Sequence, residues 1–297
     1  MAYVKIVRKS RKNGGLKFTL KKGEFISYLF IIILVIFMSI PLVYLISSAF
    51  KPMNEIFIYP PRIFVRRPTL KNFYDLVITL DSTVVPFSRY IFNSLVTTVA
   101  AVAGSVLICS MGAFALEKYR LIWANIIFSV VIAGLMFSAH VTTIPNYLAV
   151  NSLGIVNTFW ALILPKLAVP MNFFLMKQFI SQISDTYLEA ARIDGAKEFT
   201  IFYRIIMPMV KPAWVTVIVF SFVANWNDGF SGFVYITSQT LKTLPVILST
   251  IGGGLGILSR LGANYAASLL TTLPTIILFV FMQSKVVNTM SYSGIKA

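Results

Sequence analysis

Cysteine occurs once in the chain, at Cys109, and histidine once, at His140. A lone cysteine excludes a disulfide framework, and one cysteine with one histidine supplies no metal cluster. Cys109 reads as a small apolar filler, and His140 as a hydrogen-bonded packing residue. No G-x-x-x-x-G-K-[ST] phosphate loop and no HExxH or CxxC pattern is present. The glycine run Gly252-Gly253-Gly254-Leu255-Gly256 has no Lys-Ser/Thr after it, so it reads as a flexible turn. No catalytic residue and no metal ligand is assigned. Charge is scarce too: 12% of residues are charged, against roughly 25% in soluble domains. Acidic residues number 10 against 26 Lys and Arg.

What is present is apolar. The chain is 57% hydrophobic over 297 residues, with a mean hydropathy of +0.81. A helix needs about 20 apolar residues to cross a bilayer. Six runs qualify: 27–49, 91–116, 122–148, 156–180, 212–233 and 264–284. Pro41, Pro165, Pro170 and Pro274 fall inside them, which neighbouring helices can accommodate. The expected fold is all-α and polytopic, with a basic segment at 1–26 and a six-span domain at 27–297. The first run is too long for a signal-peptide core, and no A-x-A-like site follows it.

The formal charge of +16 does not form one patch, which argues against nucleic acid. Eight of the 26 basic residues lie in residues 1–22. With six spans both ends share a side, and the segments on that side carry 17 basic residues against eight opposite. The positive-inside rule then places both termini in the cytoplasm of a cell-membrane protein. The 51–89 loop, expected outside, is itself basic (Lys51, Arg62, Arg66, Arg67, Lys71, Arg89). Long loops translocate largely regardless of charge.

Between the fourth and fifth runs lies a polar segment at about 181–211. It contains Glu189-Ala190-Ala191-Arg192-Ile193-Asp194-Gly195 and, ten residues after the glycine, Ile205-Ile206-Met207-Pro208. Thr186-x-x-Glu189 fits a capping box. Ala190 and Ala191 permit close approach of another surface. Gly195 suits the position where a helix stops. A second short helix is expected over 197–206, with Pro208 and Pro212 opening the fifth span. Taken alone, such a segment is either a docking element for a soluble partner or an interfacial linker.

The spacing resembles the EAA loop of the permease subunits of binding-protein-dependent ABC importers. Only Met207 departs from it, standing where that family has leucine. The resemblance covers nearly the whole chain. Pro68-Thr69-Leu70-Lys71-Asn72-Phe73, Asn93-Ser94-Leu95, Gly112-Ala113-Phe114-Ala115-Leu116-Glu117-Lys118-Tyr119, Ala190 to Ala196, Trp226-Asn227 and the end at Gly294-Ile295-Lys296-Ala297 are similar to elements of its carbohydrate branch, the maltose-type class. Trp226-Asn227-Asp228-Gly229-Phe230-Ser231-Gly232 looks closest to the complex-oligosaccharide subgroup.

The resemblance implies the type I importer permease fold and a set of partners. These are a second homologous permease subunit, two ATPase subunits, an extracytoplasmic substrate-binding protein and an oligosaccharide. This chain would bind no cofactor, and ATP with Mg would sit on the ATPase. Glu189, Ala190, Ala191, Asp194, Gly195 and Pro208 become the ATPase-coupling residues, with Glu189 either capping its helix or pairing with a basic residue of the ATPase. Lys166, Asn225, Trp226 and Asp228 become substrate-pathway candidates. An intramembrane Lys166 facing a cavity suits a uronate-bearing oligosaccharide; the other reading is a structural lysine that snorkels or pairs. Asp228 and Asn225 either bind sugar hydroxyls or cap a helix. Trp160 and Trp214 fit an interfacial belt. Two other classes remain open: an ion-coupled secondary transporter and a non-transporting membrane scaffold.

Overall fold

Long apolar runs with scattered Pro and Gly dictate helices that cross and break, and that is the architecture found. The computed structural model describes residues 22–81, 85–119, 121–251 and 260–293, and every regular element among them is helical. The first half contains α1 (Lys22–Ala49), α2 (Met53–Ile56), α3 (Lys71–Asp81), α4 (Phe87–Lys118), α5 (Ala124–Leu135) and α6 (Ala139–Ser152). Then come α7 (Phe159–Ile163), α8 (Pro170–Ile180), α9 (Thr186–Ile193), α10 (Glu198–Ile201) and α11 (Met207–Met209). The last are α12 (Lys211–Trp226), α13 (Gly229–Tyr235), α14 (Leu244–Ile251) and α15 (Leu261–Ser293). The glycine run at 252–256 and the end at 294–297 lie outside the described residues.

Among the described residues, α1, α4 and α15 are long and apolar enough to cross a membrane unbroken. Three bent helix pairs, one in or beside each of the other expected spans, give up to six crossings. The 122–148 run is α5 and α6, bent by 118°. Ser138 sits at the break in extended conformation, and its hydroxyl accepts the His140 N–H, so a new helix starts there. The 156–180 run bends by 41° between Lys166 and Pro170. Proline disfavours helical geometry in the residue before it, and Val169 is accordingly extended (φ −71°, ψ 126°). The 212–233 run ends its first helix at Trp226, and Asp228 caps a separate α13 through Ser231 N–H at 2.9 Å. The stretch from Glu198 to Met209 meets α12 at 79°, so it does not extend that span and is read as lying outside it.

The chain divides into two units, Met1–Tyr44 and Leu45–Ala297. In the first, most described side chains of α1 are apolar and exposed, as suits a helix facing lipid or another chain. In the second, α4 packs against α8 and α12, and α12 packs against α15. Within lipid, helix association rests on close packing and on interhelical hydrogen bonds. Gly104 and Gly112 of α4 provide the first, because a Cβ at either would overlap Leu167 or Phe173. Asn172 provides the second. Fully buried on α8, it donates to Ser105 Oγ on α4 (2.9 Å) and to Ser221 Oγ on α12 (2.8 Å). At the start of α4, Asn93 donates to the carbonyls of Thr240 and Lys242, both at 2.9 Å, and Ser94 Oγ accepts Leu244 N–H at 2.7 Å. Asn72 donates to the carbonyls of Ala49 and Lys51.

Candidate functional site

The polar segment folds as two short helical pieces around a sharp turn. At the front of α9 the expected capping box does not form. Asp185 is already helical (φ −65°, ψ −21°) and its side chain makes no cap; Ser184 Oγ accepts Thr186 N–H at 3.4 Å. The Asp185 carbonyl takes Leu188 N–H at 2.9 Å and Glu189 N–H at 3.0 Å, so the backbone closes its own first turn. Glu189 is exposed and has no capping task. At the back, Gly195 adopts φ +79°. Ala196 N–H bonds to Ala191 carbonyl (2.9 Å) and Gly195 N–H to Arg192 carbonyl (3.0 Å), the Schellman arrangement.

The faces of α9 are unequal. Leu188 and Ala191 are buried in a core shared with Cys109, Phe114 and Met176. Ala191 thus packs inward, where its small side chain lets α9 lie close to this chain's own helices. Glu189, Ala190 and Asp194 are exposed, with Tyr187 at 56% and Ile193 at 86%. Phe199 (69%) and Tyr203 (63%) are exposed too, and their rings stack on each other. Pro208 lies in α11, past a wide turn in which Met207 N–H reaches back five residues to Phe202 carbonyl.

Ion pairs tie this segment to the end of α4. Lys118 Nζ meets Asp185 Oδ1 at 2.8 Å and donates to Ile183 carbonyl at 2.6 Å. Tyr119 hydroxyl donates to Glu198 Oε2 at 2.6 Å, and Arg192 Nε donates to Glu198 Oε1 at 2.8 Å. Hydrogen bonds from Arg192 and then Tyr119 hold the Glu198 carboxyl below its usual range. Lys177 meets Glu117 Oε2 at 2.7 Å and lies over the Phe128 ring. Sequence reasoning assigned no role to Arg192 or Glu198, and nothing in the spacing joins Glu198 to Tyr119.

The pathway candidates separate. Lys166 ends the 3-10 turn at Leu164–Lys166, next to one helix break, and Asp228 caps α13 at another. The two breaks bring Lys166 Nζ to 2.5 Å from Asp228 Oδ2, with both side chains about four-fifths covered (21% and 18% exposed). Asp228 thus caps a helix and neutralises Lys166. Thr97, Thr98, Asn225 and Thr243 surround the pair around a cavity of about 10 Å³, room for about one water molecule. Asn225 donates to Ser221 carbonyl at 2.7 Å. Trp226 points elsewhere. It is 4% exposed, stacks on Phe222 and donates to Thr271 carbonyl at 2.9 Å, so no ring face is open to a sugar. Trp214 donates to Met207 carbonyl, and Trp160 is exposed. Among the described residues no group of three or more His, Cys, Asp or Glu is arranged to hold a metal ion.

An all-α polytopic protein with broken spans and a charged helical segment between them is a transport component in outline. The chain belongs to the family of binding-protein-dependent transport system inner membrane components, whose model matches residues 18–292. It is a membrane-spanning ABC importer permease, which sets aside the ion-coupled transporter and the scaffold. It is similar to the arabinooligosaccharides transport system permease protein AraQ of Halalkalibacterium halodurans, 28% identical over 91% of this chain and 95% of that one. It is also similar to the polygalacturonan/rhamnogalacturonan transport system permease protein YtcP of Bacillus subtilis, 26% identical over 88% and 93%. In fold it matches a chain of a bacterial ABC transporter involved in the import of the acidic polysaccharide alginate. The TM-score is 0.77 at 20% identity, covering 88% of this chain and 95% of that one.

Proposed function

We propose that the chain is one of two homologous permease subunits of an oligosaccharide importer, with α9 as the element that docks in an ATPase subunit. The observation that carries this is the outer face of α9. A carboxylate, a small residue and a bare isoleucine (Glu189, Ala190, Ile193) stand on a helix anchored by its other face and stopped by Gly195. Glu189 supplies charge for a basic partner, Ala190 permits close approach, and Ile193 with Tyr187 supplies apolar area. Asp194, Gly195 and Pro208 fix where this face points. ATP and Mg²⁺ bind on two ATPase subunits below the membrane, and a loaded binding protein delivers sugar from outside. Both termini lie in the cytoplasm.

An oligosaccharide is the substrate class of the named relatives, and acidic glycans are among them. Support for an acidic substrate comes from those relatives and not from a free cation, because Asp228 already balances Lys166. The pathway is lined by the polar group around Lys166, Asn225 and Asp228. Its cavity is too small for a sugar, so transport requires the elements carrying the pair to separate.

The test is assembly. Ile193→Asp and Ala190→Arg should leave the permease in the membrane and remove the ATPase from the purified complex. With it goes sugar-stimulated ATP hydrolysis. Full ATPase recovery with both variants would sink the docking reading.

A further inference from the structure

We infer that Glu117, Lys118 and Tyr119, three consecutive residues at the end of α4, are positioning residues that clamp the docking helix to α4 and carry its movement to the polar pocket. The inference rests on α9 being the ATPase-docking element. Glu117 and Lys118 point about 100° apart on the helix, and Tyr119, the first residue after it, is extended (φ −107°, ψ 134°), so the three reach different neighbours. Glu117 holds Lys177 on α8 at 2.7 Å. Lys118 holds the chain just before α9, at Ile183 carbonyl and Asp185. Tyr119 holds the chain just after α9, at Glu198, which in turn holds Arg192 of α9. One helix end therefore grips α9 from both flanks.

The grip is strongest at Lys118, whose side chain is 5% exposed and has two oxygen acceptors. The Tyr119–Glu198–Arg192 set is more exposed, and single exposed pairs contribute little. Their value here is geometric: with both flanks held, α9 cannot tilt without turning the end of α4. That helix has 32 residues and is about 48 Å long at 1.5 Å per residue. It also carries Thr97 and Thr98, which line the pocket beside Lys166 and Asp228. Displacement of α9 is thereby delivered along one rigid element to the pair that must separate.

The experiment uses the complete importer, with its ATPase, second permease and binding protein, in liposomes. It reads sugar moved per ATP hydrolysed. Lys118→Met with Tyr119→Phe should retain the ATPase and continue to hydrolyse ATP, with sugar moved per ATP falling by about fivefold or more, the low end of usual coupling between sites. Lys118→Arg, which keeps charge and donors, should restore most of the ratio. An unchanged ratio in the double variant overturns the clamp. If Lys118→Met fails to assemble, Tyr119→Phe with Glu198→Gln carries the test, since both changes are near-isosteric and lie on the exposed side. Full coupling there overturns the proposal equally. Failure of the underlying reading is seen separately, as an Ile193→Asp complex that keeps its ATPase.

Discussion

Lys166 and Asp228 show how a charge survives within an apolar span: each is the other's counter-ion, and Asp228 also receives the Ser231 N–H. Removing one partner of such a covered pair strands the other charge, whereas removing both costs much less. Lys166→Met is therefore expected to reduce vesicle uptake of charged and uncharged oligosaccharides alike, by about tenfold, which corresponds to about 1.4 kcal/mol. Adding Asp228→Asn should restore most of the loss, since the amide oxygen still accepts the Ser231 N–H. A selective loss of acidic substrates would instead mean that Lys166 meets the substrate's own carboxylates. The sequence identified Lys166 and Asp228 as unusual singly, because an ionisable group in an apolar run is legible without structure. Their pairing was not legible, since 62 positions and five helices separate them. Asn72, Asn93 and Ser94 were quoted only for resemblance. Their side chains prove to be buried ties to backbone groups, which explains why these residue types stand at those points.

At the scale of elements, the number and place of the apolar runs followed from length and hydropathy, while their breaks did not. Hydropathy does not register that Ser138 or Asp228 caps a new helix, because a short polar residue alters a long average very little. The stop at Gly195 was readable, since only a residue tolerant of positive φ ends α9 in this way. Nothing lies within 4 Å of a Cβ built there, so substitution costs are purely conformational. Gly195→Asn should lower the thermal midpoint of the complex less than Gly195→Val, with about 1–2 kcal/mol charged to a β-branched residue forced into left-handed geometry. Equal effects would mean that α9 unwinds at its end to escape the strain. The Glu198 tie carries a pH signature. Its carboxyl lies below the usual range when folded, so its contribution is complete above the ordinary glutamate pKa and is lost as pH falls through the lowered value. The thermal midpoint difference between the native chain and Glu198→Gln, worth about 1 kcal/mol or less for so exposed a pair, should hold from neutrality down to the ordinary pKa and shrink below it. A difference that grows on acidification would contradict the assignment.

For the whole molecule, the decisive asymmetry is charge: 17 basic residues fall on one side of the expected membrane and eight on the other. Six of the eight lie in the 51–89 loop, which is held by local hydrogen bonds. Lys51 is 2% exposed and its ammonium donates to the Arg62 carbonyl. The Glu55 carboxylate accepts the backbone N–H groups of Arg66 and Arg67, both at 3.1 Å. The proposed docking role requires the α9 segment to lie on the opposite, cytoplasmic side. The native Cys109 is fully buried, so its background labelling should be low. A cysteine at exposed Ser184, just before α9, should react with a membrane-impermeant thiol reagent only from the cytoplasmic face of oriented vesicles. One at Phe64, 72% exposed in the 51–89 loop, should react only from the outer face. Reversed labelling would place α9 where no ATPase can reach it. Labelling of both positions from one face would mean an even number of crossings between them, and would identify α5–α6, with its 118° bend, as a pair that enters and leaves on the same side.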